Sequence, residues 1–192
     1  MNRGLTLFLR LFLTGIVLFI SITAFSHPHL FIKPSLELFV EDGSVSGIRI
    51  VWEWDKWWSA EVVAECDSDK NGVFDAKETK IVFEDFFSAV KSFGYFTAIY
   101  VDGKSVKIDE VLQFAAFIDK DKIVTYSFVV PFAKPVKGTG ASLKIDFNDE
   151  TVYTAFDRGI KIMPNDAFKV TDFKSSEHGF YGASVSFKVK GK

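Results

Sequence analysis

Short runs in which apolar and polar residues alternate, each closed by a turn signal, recur along most of the chain and set its fold class. Ile48, Ile50, Trp52 and Trp54 alternate with Arg49, Val51 and Glu53, the period of two expected for a half-buried strand. With the extended run Leu30–Val40 and the turn Glu41-Asp42-Gly43, they predict a hairpin. Asp102-Gly103 between Tyr95–Val101 and Lys104–Ile108 is a second hairpin signal, because both turn residues tolerate positive φ. Val111–Ile118 and Ile123–Val130 flank the turn Asp119–Lys122, and Pro131 and Pro135 predict a break. Leu143, Ile145 and Phe147 alternate again, Val152–Phe156 is short and extended, and Phe168–Phe173 and Tyr181–Val189 flank the polar turn Lys174–Gly179. Many short antiparallel strands at regular spacing predict a β-sandwich. The expected class is mainly β (α+β), as one domain over residues 27–192 with a helical insertion at about 56–93.

The insertion departs from period two. Asp55 reads as an N-cap for a helix Lys56–Cys66, with Trp57, Ala60, Val63 and Ala64 as its apolar face. From Asp75 to Phe93 the pattern is helical, with Val82, Phe86, Ala89, Val90 and Phe93 as a stripe widened by Phe83 and Phe87. Gly94 is the expected C′ residue.

Between these helices lies Asp67-Ser68-Asp69-Lys70-Asn71-Gly72-Val73-Phe74-Asp75-Ala76-Lys77-Glu78. It satisfies the twelve-residue EF-hand pattern at every required position. Calcium takes six to eight hard oxygens at about 2.3–2.6 Å. Asp67, Asp69 and Asn71 offer side-chain oxygens, Val73 its backbone carbonyl, Asp75 an oxygen directly or through water, and Glu78 both carboxylate oxygens. Gly72 supplies the sharp turn, and Phe74 is placed to pack beneath the loop. The alternative is a solvated acidic loop, in which four carboxylates repel one another without a cation to relieve them. No second loop of this kind exists, because Asp119–Lys122 lacks the glycine and the closing glutamate.

The N-terminus reads as an address. Arg3 and Arg10 precede and interrupt an apolar stretch, Leu11–Ile20 forms its core, and Ala24-Phe25-Ser26 presents small residues for cleavage. This predicts a signal peptide over residues 1–26, cut before His27, and an exported protein in the periplasm or outside the cell. An uncleaved anchor is the rival reading. No second long apolar run follows, so no membrane span is expected in the mature chain. Cleavage would expose His27-Pro28-His29, where the α-amine and two imidazoles suit nickel, cobalt, zinc or copper. A mobile N-terminus that binds nothing specific is the plain alternative. His178, beside Glu177, would join such a site only if the fold brings it close.

Other residues exclude more than they suggest. A formal charge of −2 gives no electrostatic reason to seek nucleic acid. One cysteine, Cys66, rules out an intrachain disulfide and reads as a small buried hydrophobe. Trp52, Trp54, Trp57 and Trp58 read as a core cluster rather than a ligand cleft. Phosphate loops, Gly-x-Ser-x-Gly elbows and zinc-protease helices are absent from the sequence. No enzyme activity is expected. A copper oxygenase would need another placed histidine, and His178 is the sole remaining one.

Several pieces together resemble one bacterial family. They are the signal peptide followed by His27-Pro28-His29, Trp52-x-Trp54-Asp55-x-x-Trp58-Ser59, the Asp67–Gly72 loop, Tyr95-Phe96 before Val101-Asp102-Gly103, and Tyr153-x-Ala155-Phe156. The chain resembles the exported family known as domain of unknown function 1007, described as the periplasmic component of an uncharacterised ABC-type transport system. The resemblance implies an accessory role near metal transport, with a membrane transporter as partner and no known activity. The chain is too short for the two hinged lobes of an ordinary solute-binding protein.

Overall fold

The computed structural model describes residues 29–137, 139–151 and 153–192. Two sheets pack face to face. The larger has strand order β5-β6-β2-β1-β8 with β9 also paired to β1, and the smaller has order β10-β11-β7-β3-β4. A mainly β, sandwich-like fold is therefore borne out.

β1 (Leu30–Glu41) and β2 (Ser44–Trp54) form the first hairpin, with Leu36 opposite Ile50 and Pro34 opposite Trp52. β3 (Thr97–Val101) and β4 (Lys104–Val106) turn through Asp102 and Gly103 at φ 49° and 74°. β5 (Leu112–Ile118) pairs with β6 (Val124–Val136). β7 (Thr139–Phe147), β8 (Thr154–Phe156), β9 (Lys161–Ile162), β10 (Phe168–His178) and β11 (Gly182–Gly191) complete the sheets.

Three features of the sheets differ from expectation. β8 and β9 run parallel to β1, so the larger sheet is mixed. The expected break at Pro131 and Pro135 is absent, and β6 runs through both. The last β5 partner along β6 is Val129. Beyond it β6 has β2 as its paired neighbour, the edge setting in which a strand tolerates proline. Gly47 faces Pro131 beside a register shift, and a Cβ there would lie 2.5 Å from the Val130 carbonyl oxygen. Lastly, Lys174–His178 extends β10 instead of turning, because β10 is an edge strand whose side chains there face water.

The core lies between the sheets. Ile32, Leu36, Ile48, Ile50, Trp52, Phe128, Leu143, Ile145, Phe147 and Val185 are fully buried, alternating inward along their strands as the period of two requires. Trp52 is ringed by Trp54, Phe87, Phe96, Phe128 and Phe156, with the Phe128 ring centroid 4.8 Å away. Trp58 joins through Trp54 at 5.2 Å. Trp57 does not, being 85% exposed.

Helix α1 (Lys56–Cys66) starts where Asp55 caps it, the carboxylate accepting from the Trp57 and Trp58 amides. Its buried face is Ser59, Val62 and Cys66, rotated from the predicted Trp57–Ala60–Val63–Ala64 face. The cause is polar: the Ser59 hydroxyl accepts from the Val124 amide at 2.9 Å inside the protein, satisfying the first N–H of β6. Helix α2 covers Ala76–Ile81 alone. A π-helical turn follows over Val82–Phe87, then 3-10 turns within Ser88–Phe96 that a kink of non-helical backbone at Phe93, Gly94 and Tyr95 interrupts. The wider turn shifts the helical phase, so Val82 and Phe87 are buried while Ala89 and Phe93 face water. Gly94 takes φ 61° as a chain-reversing residue.

Candidate metal centre

The loop between α1 and α2 gathers carboxylates. Oxygens of Asp67, Asp69 and Glu78 lie within 4.8 Å of one another. Asp67 and Glu78 are 5% and 3% exposed, whereas Asp69 faces water. Buried carboxylates must be satisfied locally, and the loop supplies donors. Asp67 Oδ1 accepts from the Asn71 amide at 3.0 Å, and Asp67 Oδ2 from the Gly72 amide at 3.0 Å. Glu78 Oε1 accepts from the Ser68 amide at 2.8 Å and its hydroxyl at 2.7 Å, while Oε2 accepts from the Asp75 amide at 3.1 Å. The Ser68 hydroxyl, with the Asp75 and Ser68 amides, holds the Glu78 carboxyl below its usual range.

Helix geometry explains where Glu78 stands. Asp75 caps α2 by accepting from the Glu78 amide at 2.8 Å, and Glu78 reaches back to the Asp75 amide. This reciprocal box is what an aspartate followed three residues later by a glutamate favours. Gly72 sits at φ 80°, and a Cβ there would also lie 3.0 Å from Lys122 Nζ. The backbone conformation selects glycine, while the Lys122 ammonium is the end of an exposed, flexible side chain and can give way. Phe74 is buried beneath the loop, 7% exposed.

The other predicted ligands are in the loop but otherwise engaged. The Asn71 side chain donates to Asp69 Oδ2 at 2.7 Å and accepts from the Val73 amide at 2.7 Å. Asp75 spends Oδ1 on its cap. Val73 is 62% exposed. The donor set is all oxygen, with two carboxylates already desolvated and paired only to N–H and O–H groups, which suits a hard divalent cation. Asp67, Asp69 and Glu78, whose oxygens converge, are the residues that would hold it.

Ser68 has a part that motif reading did not assign. Its hydroxyl ties the second loop residue to the last, and the signal available was its hydroxyl at a position the pattern leaves unspecified.

The histidines are elsewhere. His27 lies outside the described residues. His29 is exposed, stacks on Tyr153 with ring centroids 5.8 Å apart, and donates its backbone N–H to the Tyr153 carbonyl at 2.8 Å. His178 Nδ1 lies 3.8 Å from buried Asp146, which accepts from Ser184 Oγ at 2.6 Å and Lys144 Nζ at 2.8 Å. Ser184 donates to the aspartate and not to an imidazole, so this trio is not arranged as a hydrolase triad. Among the described residues, neither histidine belongs to a group of three potential metal ligands. Cys66 is buried, and burial pushes its thiol up to about 11, away from thiolate chemistry. No helix among the described residues is long and apolar enough to cross a membrane.

Comparison with known proteins places the chain. A family model described as "Protein of unknown function (DUF1007)" matches residues 12–163, a span that includes the acidic loop and both flanking helices. An uncharacterized 15.5 kDa protein from the trpE 3′ region of Spirochaeta aurantia is 31% identical over 113 residues, covering 58% of this chain and 76% of that protein. The chain therefore belongs to the DUF1007 family of proteins of unknown function.

Proposed function

We propose that this chain is an exported calcium-binding accessory protein of the cell envelope, with Asp67–Glu78 as an EF-hand-like calcium loop. The observation that carries the reading is the convergence of Asp67, Asp69 and Glu78 oxygens within 4.8 Å, two of them buried, in a loop framed by helices. Calcium would replace mutual repulsion with attraction and lock α1 and α2 against the sandwich. Its contribution to stability would follow RT ln(1 + [L]/Kd). A membrane transporter is the proposed partner, in keeping with the family resemblance, and residues 1–26 are the proposed signal peptide.

Calorimetric titration of calcium into metal-stripped protein tests this. One-to-one binding that disappears in the D67A/E78A variant is the expected result. No heat and no calcium-dependent thermal shift would overturn it.

A second reading gives the protein a transition metal, nickel, cobalt, zinc or copper, through His27 and His29. It is favoured by His29 being anchored through its backbone while its ring stays exposed. An extra residue before His27 should then weaken transition-metal binding and leave calcium binding unchanged. Equal affinity in both forms would remove the α-amine from the site.

A further inference from the structure

Aromatic side chains crowd the end of the sandwich at which β1 begins. Phe31 is 53% exposed, Tyr153 55%, Phe180 76% and Trp57 85%, although large aromatic surfaces ordinarily leave water. Their backbones are tied together. The Tyr153 carbonyl accepts from the His29 and Leu30 amides at 2.8 and 3.1 Å. The Asp55 carboxylate accepts from the Phe31 amide at 2.7 Å and, through its other oxygen, from the Trp57 amide at 2.8 Å. The turn that carries Phe180 is pinned to β8, because the Tyr181 carbonyl accepts from the Phe156 amide at 2.8 Å. Phe31, Phe180 and Tyr181 border one hollow. The rings are thus held at the surface by a fixed backbone.

The covalent chain says what this end meets. The apolar run Leu11–Ile20 stands nine residues before His29, a stretch that reaches at most about 30 Å. Whether it acts as a signal peptide or as an anchor, such a run lies in a bilayer. The bilayer is then within about 30 Å of His29, whereas the far end of the twelve-residue β1 is about 40 Å from it. The aromatic end is therefore the one presented to lipid while residues 1–28 remain attached. Its charges do not favour a different partner. Lys33, Asp157 and Arg158 border the Phe31 hollow. Lys33 is paired with Glu53 and Arg158 with Glu177, so no excess of positive charge is left to select an anionic surface.

We infer that this end docks on a lipid bilayer surface, with Phe31, Trp57, Tyr153 and Phe180 in the interfacial layer of a zwitterionic membrane. Aromatic rings favour that layer, where an apolar face meets acyl chains and a polar tip meets headgroup water. Cleavage before His27 would leave all four rings in place, so docking would outlast the leader and keep the protein beside a membrane partner. The inference rests on the export reading of residues 1–26 and does not use the calcium loop.

The test mixes phosphatidylcholine vesicles with the protein beginning at His27, whose two sheets and the core between them are built from later residues. Chelator is present, so that calcium cannot bridge protein and lipid. The expected result is cosedimentation that survives high salt, weakened at least about tenfold in an F31S/F180S variant of unchanged melting temperature. Lipids brominated on their acyl chains should quench an emission component that W57F lacks. Absence of vesicle binding would overturn the proposal. So would equal binding by F31S/F180S, loss of binding in high salt, or an unquenched Trp57. Self-association that F31S/F180S abolishes, without vesicle binding, would overturn it in favour of a second copy. Export of a reporter fused behind residues 1–26 tests the leader separately. Export without vesicle binding would sink the docking surface alone, and vesicle binding without export would sink the leader alone.

Discussion

Glu78 and Ser68 tie the two ends of the acidic loop together: the Glu78 carboxylate accepts from both the Ser68 amide and the Ser68 hydroxyl. The same carboxylate completes the capping box of α2. One side chain thus serves the helix start and the loop closure. Glutamine at this position keeps an oxygen acceptor for the cap but loses the charge and the second carboxylate oxygen that calcium would use. E78Q should lower the melting temperature in chelator, because its amide nitrogen replaces one of the two oxygens that accept from Ser68 and Asp75. Its calcium affinity should fall by roughly 100-fold. Calorimetry of the two proteins side by side checks this, and unchanged affinity in E78Q would remove Glu78 from the site.

The metal-free protein should carry a pH signature of the same contact. The Glu78 carboxyl is held below its usual 4.5, first by the Ser68 hydroxyl and then by the Asp75 and Ser68 amides. A carboxyl depressed by folding stabilises the native state fully above its unfolded value. That contribution is lost as pH falls through the lower folded value. In chelator, the parent should lose stability on acidification below about 4.5, and S68A should lose less over that window because the largest cause of the depression is gone. Melting temperature against pH measures the difference. Superimposable acid limbs would mean that Ser68 does not hold the Glu78 charge in solution.

Phe87 carries the packing of the insertion onto the sandwich. It is fully buried, and its ring lies 4.6 Å from Phe114 and 5.0 Å from Phe128, centroid to centroid, with Trp52 and Tyr126 also in contact. Phe86 is partly exposed and touches the Trp58 ring edge-on. F87A should cost about 3–5 kcal/mol, whereas F86A should cost less than half of that. A straight α-helix through residue 93, as the periodicity suggests, would favour Phe86 instead. Urea denaturation of both variants therefore tests the π-helical turn as well as the packing.

That pair shows where the sequence was legible and where it was not. Asp55 marked the start of α1, and Asp102-Gly103 marked the β3–β4 turn, because both signals are local and each residue's own chemistry selects the conformation. The membership of the DUF1007 family was legible from ordered short motifs. The π-helical turn at Val82–Phe87 was not, since one phase shift moves every later residue while both stripes read equally apolar. The buried face of α1 was missed because Ser59 is polar, and only the distant Val124 amide makes its burial favourable. The parallel β8 and β9 were missed for a related reason: strand direction depends on where the chain returns, which no local pattern records. At the acidic loop the ligand-type residues were legible, but the lock between Ser68 and Glu78 was not.

Tyr126 offers a test of polar atoms in the aromatic core. Its hydroxyl and the indole nitrogens of Trp52, Trp54 and Trp58 are buried without a hydrogen-bond partner among the described residues. Burial drives the Tyr126 phenol well above its ordinary value, and the Trp58 indole N–H is near enough to oppose that shift in part, although no well-formed hydrogen bond joins the two groups. An unpaired buried hydroxyl costs about 1–3 kcal/mol, while the ring itself contributes by packing against Trp54 and Phe114. Y126F keeps the ring and removes the cost. It should be neutral or stabilising by up to about 1 kcal/mol, read as a raised urea midpoint at unchanged slope. A loss of more than about 1 kcal/mol would show that the hydroxyl is partnered in solution, with the Trp58 N–H as the donor nearest to hand.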